Sequence, residues 1–264
     1  MSNSVISHYT APDIAARILA ATRSSTPSID SLGPYDEFHS GGRAATLDIM
    51  ARMNLTPGIQ VLDLGCGVGG ASRVFASLAR VKVTGVDISA DYITAAQSLS
   101  ILTGLAEETV YKHADVLSLP FANSTYDAAY TLHVGMNITD RIAFYQEAHR
   151  ALKPDSVFAV YDVMLGPAQE KIPYPMPWAN SPDISFLLSP AQTMQALKEA
   201  GFTISTAFSD MTVLAAAGLD RAIATGFSPP VMGSDAAEKM SNLAAAFANR
   251  SLVTGCILAH KMDA

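Results

Sequence analysis

The stretch Val61-Leu62-Asp63-Leu64-Gly65-Cys66-Gly67-Val68-Gly69-Gly70 decides the architecture of this chain. Val61 to Leu64 reads as a buried strand, and Ala71 to Ala79 as the helix that follows. Between them, Gly65 and Gly67 permit positive φ at a tight turn and close approach of a ligand to bare backbone. Dinucleotide-binding proteins carry G-x-G-x-x-G in this same strand, loop and helix context, so the glycines alone do not name a ligand. Asp63 narrows the choice. A carboxylate two residues before the first glycine repels a docked pyrophosphate and attracts a cationic ammonium or sulfonium group.

Outward from the loop, apolar runs alternate with helical patterns. Val81 to Val86 predicts a second strand and Ala90 to Thr103 a second helix. Val110 to His113 and Tyr126 to Leu132 predict a third and fourth strand. Arg141 to Leu152 is a helix stopped at Lys153-Pro154-Asp155, and Val157 to Tyr161 a fifth strand. Continuous apolar strands separated by helices imply a parallel sheet covered on both faces, the doubly wound α/β class. Such sheets hold ligands at the carboxyl ends of their strands. Asp87 closes the second strand, where a carboxylate suits both hydroxyls of a ribose. Asp115, in Ala114-Asp115-Val116 after the third strand, is placed to accept from an adenine amino group.

Upstream, Ala11 to Thr22 reads as a short amphipathic helix carrying Ile14, Ile18 and Leu19, and Ser24 to Ser31 as a loop. Gly33 to Gly42 (GPYDEFHSGG) is dense in aromatics and glycines: either a surface loop or a segment that folds over a ligand. Arg43 to Met53 is a helix. After Val163 the rhythm breaks. Gly166 to Pro190 holds six of the 14 prolines and the only tryptophan, Trp178. Ser189 as N-cap and Pro190 at the first position start a helix that runs to Ala200. Phe202 to Phe208 alternates as a strand. Met211 to Arg250 is helical with a break at Gly226 to Gly233, and Leu252 to Lys261 closes as an apolar strand. A single domain over 1–264 is expected, with an N-terminal helical cap at 1–55 and the ligand-binding core at 59–163.

Composition bounds the function. Hydrophobic residues make up 49% of the 264 and charged residues only 16%, against about 25% in ordinary domains. Such a chain must hide apolar surface in a ligand cavity or a subunit contact, which keeps a homo-oligomer open. Seventeen basic and 24 acidic residues leave a net charge of −7, which argues against nucleic acid as a partner. No apolar run approaches the roughly 18 residues of a membrane span. MSNSVISHYT lacks the features of a secretory leader. Cys66 and Cys256 form no disulfide framework and have no metal-ligand company. A cytoplasmic setting is the default, and no sequence pattern proposes a metal site.

The segments VLDLGCGVGG, VTGVDIS, HADVLSLPFANSTYDAAY and EAHRALKPDSVFAVYDV resemble the Class I S-adenosylmethionine-dependent methyltransferases. Tyr35-Asp36-Glu37-Phe38-His39, Leu132-His133-Val134-Gly135-Met136-Asn137-Ile138 and Pro175-Met176-Pro177-Trp178-Ala179 resemble its small-molecule branch, which includes sarcosine/dimethylglycine N-methyltransferase-like proteins. The resemblance covers nearly the whole chain. It implies a seven-stranded, mostly parallel sheet whose last strand, Leu252 to Lys261, runs antiparallel. It also implies lid or substrate segments at 164–188 and 213–248.

For the cofactor, S-adenosylmethionine, the resemblance points to Asp63, Gly65, Cys66, Gly67, Asp87, Ile88, Ala114, Asp115, Val116, Leu132 and His133. For a small-molecule methyl acceptor it points to Tyr35, His39, Met136 and Trp178. His133 is the first candidate for a general base and His39 the second; His133 is equally a wall of the site. Tyr35 and Trp178 have large apolar bodies with polar tips, so packing competes with ligand contact. Arg43 either reaches the cofactor carboxylate or is a solvated helix charge. Two rival readings remain at this point: a nicotinamide-dependent oxidoreductase using the same loop, and a non-catalytic cofactor-binding partner subunit.

Overall fold

The computed structural model describes residues 9, 12–22, 24–227, 229–230 and 232–263. Apart from Tyr9, the opening residues read for a leader lie outside the described residues. So do Ala11, at the start of the expected first helix, and residues 228 and 231 in the expected break after Gly226.

Seven strands form one sheet in the order β3-β2-β1-β4-β5-β7-β6. They are β1 (Gln60–Leu64), β2 (Lys82–Asp87), β3 (Thr109–His113), β4 (Tyr126–Leu132), β5 (Leu152–Leu165), β6 (Thr203–Asp210) and β7 (Leu252–Lys261). β1 pairs in parallel with β2 on one side and β4 on the other. β7 runs antiparallel to both β5 and β6, as the resemblance implies. Chain order reverses between β1 and β4, and the crevice for a ligand opens at such a switch point.

Among the described residues three helices precede the sheet: α1 (Ile14–Thr22), α2 (Ile29–Asp36) and α3 (Gly42–Met53). Then come α4 (Gly70–Val74), α5 (Ala90–Leu102), α6 (Arg141–Ala151), α7 (Pro190–Glu199), α8 (Thr212–Thr225) and α9 (Ala236–Ala248). Because successive strand residues face opposite sides, one core gathers Leu62, Leu64, Phe144, Phe158 and Ile257, and the other Val61, Val83, Tyr130 and Tyr161. Ser189 caps α7 reciprocally with Gln192, with Pro190 at the first turn as expected.

Several boundaries differ from the sequence reading. The expected loop Ser24 to Ser31 already contains the start of α2: Ser28 and Ser31 form a capping box, and Pro34 is accommodated inside the helix. The helix expected over Ala71 to Ala79 is α4 followed by a π turn, Phe75–Ala79. β5 is far longer than Val157 to Tyr161, because β7 pairs with it from Ser156 to Leu165. The proline-rich stretch after β5 is fixed by packing and hydrogen bonds. Phe186 N–H donates to Met136 O at 2.8 Å, and Trp178 Nε1 donates to Ser185 Oγ at 2.9 Å.

Candidate functional site

The loop between β1 and α4 is built on left-handed glycines. Gly65 lies at φ +81° and Gly67 at φ +53°. A Cβ on Gly65 would stand 2.2 Å from Val134 Cγ2, whereas one on Gly67 would meet nothing within 4 Å. Gly65 is therefore a packing requirement, and Gly67 borders open space. Gly70 serves a third purpose, since a Cβ there would be 2.3 Å from Asp36 O. The end of α2 thus rests directly on the start of α4.

Two carboxylates anchor this loop. Asp87 Oδ2 accepts from Gly67 N–H at 2.9 Å and Oδ1 from Ser89 N–H at 2.9 Å. Burial raises its pKa above the usual carboxylate value. Asp63 Oδ2 accepts from Ser72 Oγ at 2.5 Å and Tyr130 OH at 2.8 Å. Burial pushes Asp63 up to about 7, the two hydrogen bonds opposing it. Behind the loop, fully buried Arg73 donates to Asp36 Oδ2 at 2.7 Å and to Val68 O at 2.9 Å.

The loop opens into a cavity at the carboxyl ends of β1, β2 and β4. Asp63, Gly65, Cys66, Gly67, Asp87, Ile88 and Val116 line one part of it. Phe38, His39, Leu132, His133, Met136, Pro177, Trp178 and Met232 line the other. Most residues singled out from sequence thus meet in one place. Tyr35, Ala114 and Asp115 do not line the cavity. Tyr35 packs on Phe227 with ring centroids 5.5 Å apart. Asp115 Oδ1 accepts from Leu117 N–H at 3.0 Å, and Ala114 N–H donates to Asp87 O. Arg43 does not line the cavity: half-buried, it binds Glu37, Asp30 and Ile29 O.

His133 ends β4 in the left-handed region, φ +57°. Its Nδ1 accepts from Ser40 N–H at 3.4 Å, and its Nε2 lies 3.4 Å from Thr254 Oγ1. Thr254 Oγ1 itself donates to Asp162 O at 2.9 Å. Both ring nitrogens are therefore engaged, Nε2 as the donor. The ring stacks on Tyr161 at 5.1 Å, and burial, with His39 adding to it, holds its pKa well below 6.5. His39 is different. Its Nε2 lies 3.1 Å from Gly42 O and 3.0 Å from Thr46 Oγ1, and its ring is 6.0 Å from that of His133.

Sequence reasoning missed several residues of the wall. Tyr9 and Asn137 both line the cavity, and Asn137 Nδ2 donates to Tyr9 OH at 2.9 Å. No local pattern links residues so far apart in the chain. Asp36, Glu37 and Phe38 also line it. They stood inside the segment whose aromatics and glycines were the available signal. Among the described residues no group of three or more His, Cys, Asp or Glu could hold a metal ion, and no helix is long and apolar enough to cross a membrane.

Residues 62–160 match the family model described as a methyltransferase domain. The chain is 32% identical to cycloartenol-C-24-methyltransferase 1 of Oryza sativa subsp. japonica over 161 residues, 58% of this chain and 46% of that protein. It spans about half or less of the length of the first curated relatives it matches. In fold it superposes on geranyl diphosphate C-methyltransferase from Streptomyces coelicolor A3(2) with a TM-score of 0.74 at 16% identity, covering 98% of this chain and 97% of the other. A candidate sarcosine dimethylglycine methyltransferase from Galdieria sulphuraria gives 0.69 at 19% identity, covering 83% and 84%. Residues 62–160 are thus similar to a methyltransferase domain, and the chain shares the fold of solved Class I methyltransferases.

The residues fit S-adenosylmethionine. Gly67 leaves room for a ligand against the backbone. Asp63 is buried and Asp87 half-buried, and among the described residues no cationic side chain lines the cavity beside them, which favours a ligand bearing positive charge.

Proposed function

We propose that the protein transfers a methyl group from S-adenosylmethionine to a small, largely apolar organic acceptor. The observation that carries this reading is the change of character within one cavity. Beside the glycine loop it is bordered by Asp63 and Asp87; further along it is bordered by Phe38, Met136, Pro177, Trp178 and Met232. A few polar anchors in a mostly apolar wall are typical of small-molecule sites.

The cofactor, when bound, supplies an electrophilic methyl on a sulfonium and a neutral leaving group. What the chain adds is placement, exclusion of water and, for some acceptors, removal of a proton. Asp87 would accept from the ribose hydroxyls, using lone pairs not taken by Gly67 and Ser89. Asp63 would favour the positive end of the ligand through space. Cys66, Ile88, Val116 and Leu132 would enclose the rest. His133, with both nitrogens engaged, acts as a wall; Ala114 and Asp115 act by holding the loop that carries Val116.

The segments 164–188 and 213–248 act as the lid over the acceptor, a reading supported by Trp178 and Met232 at the cavity wall. The net charge of −7 supports a protein that works without nucleic acid. Two buried free cysteines are compatible with a cytoplasmic setting, and assembly into a homo-oligomer would cover exposed apolar residues such as Val213 and Ile223 on α8.

Purified protein incubated with methyl-labelled S-adenosylmethionine should label a small molecule from a panel of phenols, quinols and amines, or from a small-molecule extract. Label found only on macromolecules would overturn the assignment of the acceptor. Thermal shifts measured in parallel should rise with S-adenosylhomocysteine and not with NAD; the reverse would favour an oxidoreductase.

A further inference from the structure

We propose that His39 is the general base of this site, that Glu37 and Thr46 position it, and that the acceptor is methylated on a hydroxyl group. The inference rests on the methyltransferase reading and goes on to name the proton acceptor and the acceptor class.

The hydrogen bonds around His39 fix its tautomer. Gly42 O can only accept, so the Nε2 that lies 3.1 Å from it carries the proton. Thr46 Oγ1 has a single proton, and it goes to Glu37 Oε2. Thr46 Oγ1 therefore accepts from His39 Nε2 at 3.0 Å rather than donating to it. The order is His39 Nε2–H to Thr46 Oγ1, and Thr46 O–H to the Glu37 carboxylate. Glu37 is further held by Arg43, and its side chain is 0% exposed. Nδ1 is left with its lone pair, and it has no hydrogen-bond partner among the described residues, on a ring that lines the cavity. In His133 the corresponding lone pair already accepts from Ser40 N–H.

Burial lowers the His39 pKa, against a smaller upward pull from Glu37. The ring is thus neutral, the form a base must have. The other groups that face it are Arg43 and the rings of His133 and Tyr161. Once protonated at Nδ1, the imidazolium keeps Nε2–H on Gly42 O and Thr46, with the Glu37 carboxylate one hydroxyl away. An anion there stabilises the charge that develops on the ring.

A base of this kind suits an acceptor whose O–H must be broken. The oxygen forms the new bond to carbon, the bond from that carbon to sulfur breaks with its electrons going to sulfur, and the hydroxyl proton ends on His39 Nδ1. An alkylammonium acceptor would need a free carboxylate nearby. In this wall Asp36 and Glu37 are both already paired with arginines.

The first test is nitrogen NMR of histidine-labelled protein without cofactor. His39 should be neutral at pH 7 with the proton on Nε2 in the parent and in Thr46→Ser, and should lose that fixed tautomer in Thr46→Val. A proton on Nδ1 in the parent would overturn the proposal. The second test uses 1-naphthol and benzylamine as acceptor probes. Transfer to 1-naphthol is expected, falling about 10²–10⁴-fold in His39→Asn with S-adenosylhomocysteine affinity kept. It should fall in Thr46→Val and recover in Thr46→Ser, and the acid limb of the parent's rate profile, set by a His39 pKa held below its ordinary value, should move in Thr46→Val. Transfer to benzylamine alone or to neither probe, or equal turnover in His39→Asn, would overturn it. Failure of the parent to bind S-adenosylhomocysteine would instead defeat the methyltransferase reading, leaving the NMR result intact.

Discussion

Replacing Gly67 by valine should separate ligand binding from folding. Gly67 sits at φ +53° and a Cβ there meets nothing within 4 Å. The unliganded protein therefore loses only what the left-handed backbone costs an L-residue, about 1–2 kcal/mol. For a chain of this size that is a fall of roughly 2–8 °C in melting temperature. The valine methyls, however, stand in the open space where a ligand would lie against the loop. Affinity for S-adenosylhomocysteine should drop at least about 100-fold, or roughly 2.7 kcal/mol. Gly65→Ala is the matched control, because its Cβ falls 2.2 Å from Val134 Cγ2. There the overpacking adds about 1–3 kcal/mol to the backbone strain, so that variant should melt lower than Gly67→Val despite its smaller side chain. Melting curves and titration calorimetry measure both quantities on the same samples. If Gly67→Val folds and still binds within about threefold of the parent, the loop is not the cradle.

Asp63, at a pKa of about 7 through burial, should release about half a proton at pH 7 when a cationic ligand binds. Calorimetry in buffers of different ionisation enthalpy would detect it, and a binding enthalpy independent of buffer would refute it. Asp162, pushed up to about 6 by burial, binds its proton more strongly folded than unfolded. Its contribution to stability is thus present at low pH and lost as pH rises from about 4 through about 6; urea melts of Asp162→Asn should show a shallower loss across that window than the parent. Arg73→Met should cost about 3–5 kcal/mol by leaving the Asp36 carboxylate buried and unpaired, with recovery in the double variant carrying Asp36→Asn; additive losses in that cycle would deny the pairing. His133→Asn keeps a residue suited to φ +57°, and its saturated turnover should stay within about tenfold of the parent. A loss of 10²-fold or more would restore His133 as the base.

The parts of the site that could be read from sequence are those made by one strand and its adjoining turn. Val61 to Gly70 and the strand ending at Asp87 each carry their signal within about ten residues, through buried apolar runs and glycines. His39 stood out by residue type, yet nothing local showed that its role depends on Gly42 and Thr46, on and beyond the start of α3. Tyr35 and Asp115 are the opposite case. Both lie at expected positions in the chain, but Tyr35 faces α1 and Phe227, and Asp115 turns back on its own loop. Side-chain direction at a loop is set by tertiary neighbours, and spacing does not reveal it. The length of β5 was hidden for a related reason. Its second half is defined by the antiparallel partner β7, which lies almost a hundred residues later in the chain.

The pairing of Asp36 with Arg73 joins the last residue of α2 to the first turns after the glycine loop. Both side chains are shut off from water, at 2% and 0% exposure. Peeling the N-terminal helices away would carry Asp36 off with α2 and strand the Arg73 guanidinium without its partner, at a penalty of several kcal/mol. Those helices and the loop therefore behave as one block, fixed in place as a back wall. Pro177, Trp178 and Met232 also border the cavity. That part of the wall is uncharged, so a molecule that settles against it is chosen by its solubility in oil.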